Sequence, residues 1–551
     1  MSAYAADEDN QRFHENQLRR QQQMELERER RFEAKPDAIG PVPPVRAVEE
    51  IGEEKPCFVV REIRFELVKG SHASASWKNE FSWVDSLSQR MAGKCLGVQG
   101  LNRVIQELTE EAIRRGRTTT RFTFPHQDFS QGVLHVGVAP GLIGGIRFSD
   151  PETGGSWKTV LPLRPGDLLD LRAIEQAVEQ LGRLASLDAT FDLLPGEGVG
   201  ESEILIKRKW SKPWRMSLSL DDSGVKATGR YNTNATLAYD NLLGINDLLS
   251  FTAGSGTLIE GLGQSSRNAS FAYSIPYGYW TFSSHLSTYD YRQVIQGAFQ
   301  KFARSGNTQS AEFRVDRILH RTQSSRTGID LRVLRRQSRQ FIDDVELEVQ
   351  RRNTTSIQTG LTHRHYLGSA IFDGSVAVRQ GVPWLGALAD APDLPAESPT
   401  TRYTMKILDA TLDVPFKIGA LPLQYRINGR AQQTTDLVLG AEFFSIGSRY
   451  SVRGFDSEHS LAAESGWFVR NELGMKLPGN LPDIYVAFDA GEVSGPGTAL
   501  LAGNRLEGFA FGVRKMLGGF YFDIFIGTPI RQPRGFGADK TSAGFQLNAS
   551  F

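Results

Sequence analysis

The sequence predicts an α+β N-terminal part followed by an all-β transmembrane barrel of about 16 strands, and three observations predict it. From about Lys209 to the last residue, short segments of alternating polarity recur, and no amphipathic helix interrupts them. Residues 209–551, at roughly 21 residues per strand plus connection, supply about 16 strands. The last five strand-like segments lie near 465–477, 483–490, 506–516, 519–529 and 542–551. Their connections alternate short and long, as periplasmic turns and external loops do in outer-membrane barrels.

The totals are compatible with that fold and exclude others. Mean hydropathy is −0.32, and no run approaches the ~18 apolar residues of a membrane helix. A barrel strand needs only about 10 alternating residues, so a polar average does not exclude a membrane wall. Formal net charge is zero, which gives a nucleic-acid partner no support. No G-x-S-x-G, H-E-x-x-H or G-x-G-x-x-G occurs, and the nine histidines lack metal-ligand spacing. Asp221-Asp222 reads as a charged strand end beside a turn at Ser223-Gly224. No enzymatic activity, metal or cofactor is expected.

Along the chain, Ala3-Tyr4-Ala5 fits the tail of a signal-peptide cleavage site, with no intact signal peptide before it. Residues 7–34 hold no Gly or Pro and are rich in Gln, Glu, Arg and Leu. Opposite charges recur at helical spacing, as in Glu15–Arg19 and Glu27–Arg31. A helix polar all round suits solvent or a polar cavity. Residues 35–54 carry four prolines and two glycines and read as an extended linker.

Residues 55–138 read as a β-α-α-β-β module. Its parts are a strand over 57–68, helices over 77–91 and 98–115, and strands over 118–124 and 132–138. The second helix has Leu101, Val104, Ile105, Leu108 and Ile113 on one face, and Gly116 ends it. Residues 139–208 repeat the plan without a clear first helix, with a helix over 171–184. In the all-β part, the segments near 216–220, 233–239, 248–253, 280–286, 311–315, 328–333, 345–349, 375–378 and 405–414 read as strands. Phe545, Leu547, Ala549 and Phe551 alternate to the last residue, and Phe551 reads as an outer-membrane insertion signal. Cys57 and Cys95 are two thiols in a reducing compartment or one disulfide in an oxidising one. Counting strands back from a periplasmic C-terminus puts the modules in the periplasm, which favours the disulfide.

The same count places Val452-Arg453-Gly454-Phe455 in an external loop between strands eleven and twelve. Asp489, in Phe488-Asp-Ala-Gly491, ends a nearby strand. An Arg in a long loop and an Asp on a strand suggest a charge-assisted tether. Arg453→Asp is then expected to abolish function, and a compensating Asp489→Arg to restore part of it.

Seven stretches carry a family resemblance: Cys95-Leu-Gly97, Thr118-Thr-Thr-Arg121 with Pro125-His-Gln-Asp128, Asp221-Asp-Ser-Gly224 with Thr228-Gly-Arg-Tyr231, Asp240-Asn-Leu-Leu-Gly244, Val452-Arg-Gly-Phe455, Arg470-Asn-Glu-Leu473 and Phe488-Asp-Ala-Gly491. With them the chain resembles the outer-membrane transporters of two-partner secretion, the TpsB proteins of haemolysin, filamentous-haemagglutinin and contact-dependent-inhibition type. The resemblance implies a plug helix over 1–34, a linker over 35–54, POTRA domains over 55–138 and 139–208, and a sixteen-stranded barrel over 209–551. It implies that the Arg453 loop folds into the lumen and pairs with Asp489, which makes Val452, Arg453, Gly454, Phe455, Phe488, Asp489 and Gly491 the latch. It implies client contacts on the POTRA domains, here at Thr118, Thr119, Arg121 and Gln127. Arg117 departs from the family, which more often has an aromatic after the Gly. The implied partners are a secreted TpsA-type exoprotein, outer-membrane lipid and the barrel-assembly machinery, for a monomer. A barrel-assembly factor of the same superfamily is the alternative reading.

Overall fold

The computed structural model describes residues 54–551 except 72–76, 151–154, 257–264, 297–299, 391, 393–394 and 396–397. The helix expected over 1–34 and the linker up to residue 53 lie outside the described residues.

The first module is a three-stranded sheet covered by helices. Glu62–Leu67 runs parallel to Val133–Ala139, which pairs antiparallel with Arg121–Thr123. Helix Val98–Arg114 buries Gly100, Val104, Leu108 and Ala112. Their spacing of four keeps them on one face, and they pack against Leu134, Val136 and Val138. Ile113, expected on that face, is exposed, because it lies one residue past the buried Ala112 row. Gly116 has a positive φ and caps the helix.

The strand expected over 57–68 is two strands. Phe58–Val59 pairs with Cys95–Leu96, and the chain then crosses to the main sheet at Glu62. A Cys57–Cys95 disulfide joins the start of that small ribbon, with 5.4 Å between the Cα atoms. Its closed loop gives about 3–4 kcal/mol in the chain-entropy model.

In the second module Leu142–Phe148 runs parallel to Glu201–Trp210, which pairs with Leu187–Pro195. Helix Leu171–Gly182 is capped by Asp170, whose side chain accepts from Arg172 N. The first helix that the sequence did not reveal is one turn, Trp157–Val160, capped by Ser156. A single turn is too short to show a 3.6-residue period. Arg117, the departure from the family pattern, staples the two modules. It donates to Glu80 at 2.8 Å and to the Leu168 and Leu169 carbonyls of the second module.

Sixteen strands then close on themselves in up-and-down order, from Trp214–Asp221 to Ser542–Ser550. Val345–Glu346 is a two-residue addition to one of them. Side chains alternate across the wall. Leu237, Phe251, Phe313, Leu361, Val376, Leu408, Phe511 and Ile526 are exposed on the outer face. Arg304, Asp330, Arg336, Gln340 and Arg364 are buried on the inner one. Three strands, Ser265–Tyr277, Arg352–Leu367 and Leu421–Thr434, were not apparent in the sequence. The strand expected over 345–349 is instead that short pair and a 3-10 turn, Glu348–Gln350, in an external loop.

The second module rests on three periplasmic turns of the barrel. Asn246 donates to Ser156 O and Thr159 Oγ1, and Gln180 donates to the Gly278 carbonyl. Glu179 accepts two hydrogen bonds from Arg321 at 2.7 and 2.8 Å and a third from Arg326. Burial alone would push the Glu179 carboxyl up, but these two guanidinium groups outweigh it and hold it below the ordinary carboxylate value. A lowered folded value contributes stability that is full above the ordinary Glu pKa and is lost as pH falls through the folded value. Glu179→Ala leaves Arg321 buried without its main partner, a loss of about 3–5 kcal/mol for a well-buried pair. The variant is expected to show faster hydrogen exchange in Leu171–Gly182 and at the turn after Arg321 at neutral pH. The native chain should show that change only well below pH ~4.5.

Candidate functional site, the loop latch

Residues 435–464 connect the eleventh strand, Leu421–Thr434, to the twelfth, Ser465–Met475. The modules enter the first strand from the periplasmic side, so this connection is external. It does not project outward. Phe444–Ile446 pairs with Leu461–Ala463 as a stem, and residues 451–455 at the tip between them are buried. Phe444, Ile446, Val452, Phe455, Leu461 and Phe468 form a local apolar core. Phe455 meets Phe536 of the last external loop edge-on, with 5.9 Å between ring centroids.

The tip carries Arg453 to the wall. Its Nε donates to Asp489 Oδ2 at 2.7 Å and its Nη2 to Asp489 Oδ1 at 2.9 Å. The Arg453 backbone N–H also donates to Asp489 Oδ2, at 2.9 Å. Its Nη1 reaches Glu472 Oε2 at 2.6 Å, and Nη2 reaches the Asn471 carbonyl. Glu472 in turn holds Arg514 at 2.8 Å. Arg453 is 4 % exposed and Asp489 fully buried. Burial alone would push the guanidinium down, but Asp489 and Glu472 outweigh it and hold it above its ordinary value. The positive charge of the latch is therefore fixed at every accessible pH. A fork of planar donors between two carboxylates is a task that lysine cannot copy.

Two further ties cross the lumen. Arg449 donates to Asp222, past the first strand, and to the Phe545 carbonyl on the last strand. Asp222 also accepts from Phe545 N at 2.9 Å. At the root of the loop, Glu442 pairs with Arg336 at 2.9 Å and with Arg379 at 3.5 Å, on two other strands. The loop is thus fixed at separate places around the ring.

Glycines make the close seat possible. Gly454 has φ +105°, and a Cβ there would lie 2.6 Å from the Thr528 carbonyl oxygen. A Cβ on Gly508 would lie 1.8 Å from the Arg453 carbonyl oxygen.

The structure brings Val452, Arg453, Gly454, Phe455 and Asp489 together. Gly491 lies under the stem, where a Cβ would approach Ile446 Cγ2 to 3.1 Å. Phe488 is separate from them. It is exposed on the outer face of the wall, because adjacent strand residues point to opposite sides. Glu472, Arg449, Asp222, Gly508 and Gly527, where a Cβ would lie 2.8 Å from Gly454 Cα, belong to the site and were not assigned from the sequence. Glu472 lies within the Arg470-Asn-Glu-Leu473 stretch, so its signal was present.

On the first POTRA-like module, Gln127 is occupied. Its carboxamide donates to the His135 carbonyl and accepts from His135 N, completing the sheet beyond the three-residue edge strand. Arg121 donates to the Thr118 and Thr120 carbonyls. The Thr118 and Thr119 hydroxyl oxygens are buried without a partner among the described residues.

A closed polar-lined barrel, crossed by its own tethered loop and fronted by two small α/β modules, defines an outer-membrane transporter. Sequence comparison agrees. Residues 200–515 match the profile of the haemolysin secretion/activation protein ShlB/FhaC/HecB. Residues 60–141 match a ShlB-type POTRA domain and 142–195 a POTRA domain. The chain is 36% identical to outer membrane transporter CdiB-2 of Burkholderia pseudomallei strain 1026b, over 98% of this chain and 94% of that one. It is 29% identical to haemolysin transporter protein ShlB of Serratia marcescens, over 69% and 67%. The solved structure of CdiB from Escherichia coli superposes with a TM-score of 0.86 at 26% identity, covering 97% of this chain and 98% of that one. The chain belongs to the ShlB/FhaC/HecB family of haemolysin secretion/activation proteins. It is a TpsB transporter of the outer membrane, with its POTRA domains in the periplasm.

Proposed function

We propose that this transporter exports a TpsA-type exoprotein of contact-dependent-inhibition type, and that the Arg453 latch holds the lumen shut between export events. The observation that carries the reading is the buried contact of Arg453 with Asp489 and Glu472 inside a closed barrel. CdiB transporters match nearly the whole chain, which supports the client type. The client binds in the periplasm by adding a strand to a POTRA edge. Glu62–Leu67 offers one, because its only sheet partner among the described residues is Val133–Ala139. Gln127 closes the opposite side at His135, so the free edge is favoured over the Gln127 face. Residues 1–34 serve as a second plug, residues 35–54 link it to the POTRA domains at 55–138 and 139–208, and 209–551 form the barrel. The transporter works as a monomer, inserted by the barrel-assembly machinery, with the outer face of its wall in lipid.

Removal of residues 55–208 tests the reading. It is expected to abolish appearance of the co-expressed exoprotein in the medium, while the barrel remains in outer-membrane fractions. Undiminished secretion by that variant overturns it.

A further inference from the structure

Arg335, on the lipid-facing wall, has a guanidinium nitrogen with no partner among the described residues. Strand Ser325–Ile342 presents Ile329, Leu331 and Val333 outward, and Arg335 is the next outward residue towards the external end. Register continues that row across the wall. Phe251 pairs with Phe271, Phe271 with Leu286, Leu286 with Ala311 and Ala311 with Arg335. A groove of about 390 Å³ opens on this face, lined by these residues together with Gln309 and Gln337. That volume is within the range of small-ligand sites, about 300–1,000 Å³. The groove has two chemistries. Phe251, Phe271 and Leu286 are exposed apolar side chains. Arg335, Gln309 and Gln337 bring a guanidinium and two carboxamides.

Arg335 Nε is shielded from water and has no hydrogen-bond partner among the described residues. Most lumenal arginines are paired, as Arg332 is with Asp330 and Arg364 with Asp373. A cation on the lipid face is destabilising in a depth-dependent way, and a partner anion offsets that cost. Lys301–Arg321 and Ser325–Ile342 have 21 and 18 residues, far beyond the ~10 that span a bilayer. Arg335 therefore stands at the outer edge of the apolar belt, at headgroup level. What reaches this face is outer-leaflet lipid.

We propose that the groove binds a phosphate-bearing lipid of the outer leaflet, with its phosphate on Arg335 and an acyl chain along Phe251, Phe271 and Leu286. The planar fork of arginine suits a phosphate, and the apolar floor suits the chain.

The full chain in detergent, titrated by native mass spectrometry, tests this with three probes: bisphosphoryl lipid A, its dephosphorylated form and inorganic phosphate. The bisphosphoryl form is expected to bind at least about tenfold more tightly than the dephosphorylated form. Arg335→Gln should remove that preference and leave the folded barrel's gel mobility unchanged. Phe271→Ser should weaken both lipid forms. Equal binding of the two forms, or an unaltered preference in Arg335→Gln, overturns the proposal. So does competition by inorganic phosphate at the same concentration, which would make the site one for free phosphate.

Discussion

Arg453→Asp is expected to bring client export down to background while the barrel still folds and inserts. The native side chain satisfies both oxygens of Asp489 and one of Glu472. An aspartate there removes all three contacts and sets a third carboxylate between two others. Breaking a buried pair by losing one partner costs about 3–5 kcal/mol. At 1.4 kcal/mol per tenfold, that shifts the latched population by more than about a hundredfold. Arg453→Lys keeps the charge and loses the fork, so an intermediate level is expected. The compensating exchange, Arg453→Asp with Asp489→Arg, is not expected to rescue, contrary to what a simple pair suggests. Asp489 also accepts from the backbone N–H of Arg453 and of Asn471. An arginine at 489 has no acceptor for those donors, and an aspartate at 453 still faces Glu472. Secretion assays on the three variants, with outer-membrane levels as the control, check the series. Rescue by the exchange would mean that the backbone contacts contribute nothing.

Those backbone contacts mark the boundary of what the sequence makes legible. A lone Arg in a long loop and an Asp at a strand end can be paired because each is conspicuous. Glu472 is as central, yet a charged residue on a lumen-facing strand looks like many others, such as Asp330 or Glu312. Phe488 went astray for the opposite reason. It is adjacent to Asp489 in the chain, but a period of two sends it to the lipid side. The strand number followed from length alone, since 16 up-and-down strands divide 209–551 evenly enough. Individual strands were harder. Arg352–Leu367 alternates Thr with Ile and Leu on its outer face, so its polarity contrast is weak. Val345 and Val349 alternate well, but they lie in an external loop where nothing buries them, at 69% and 81% exposed. In the second POTRA domain a one-turn helix has no period to read. The features that escaped are those set by contacts with distant segments rather than by local pattern.

Gly508→Val makes the reverse test, because it leaves every charge of the latch in place and removes only the room for it. Gly508 lies on Arg505–Leu517, opposite the loop tip. A Cβ there would fall 1.8 Å from the Arg453 carbonyl oxygen, which is a backbone atom and has no rotamer to move away. Either the tip lifts or the strand bends. The strand is held by its neighbours, with ten register pairs to Asp483–Ser494 on one side, so the tip is expected to lift. Moving a charged fork by about 1 Å forfeits most of its hydrogen bonding, since contacts weaken steeply outside 2.7–3.2 Å. Pore conductance in planar bilayers should then rise severalfold in closed-state recordings, and export should fall, with no change in charge to explain either. Gly429→Ala is the matched control. It lies on the wall as well, but its added Cβ would meet only ordinary contacts, at 3.5 Å to Phe468 O and 3.7 Å to Val469 Cγ2. Conductance equal to the native chain's in Gly508→Val would show that the loop does not close the pore by seating on this strand. A rise in both variants would point to a loosened wall instead. The charges of the latch fix where the loop points, and the glycines of the wall fix how close it can come. Only the first of these is altered by a charge substitution, which is why a substitution that adds nothing but volume at Gly508 separates them.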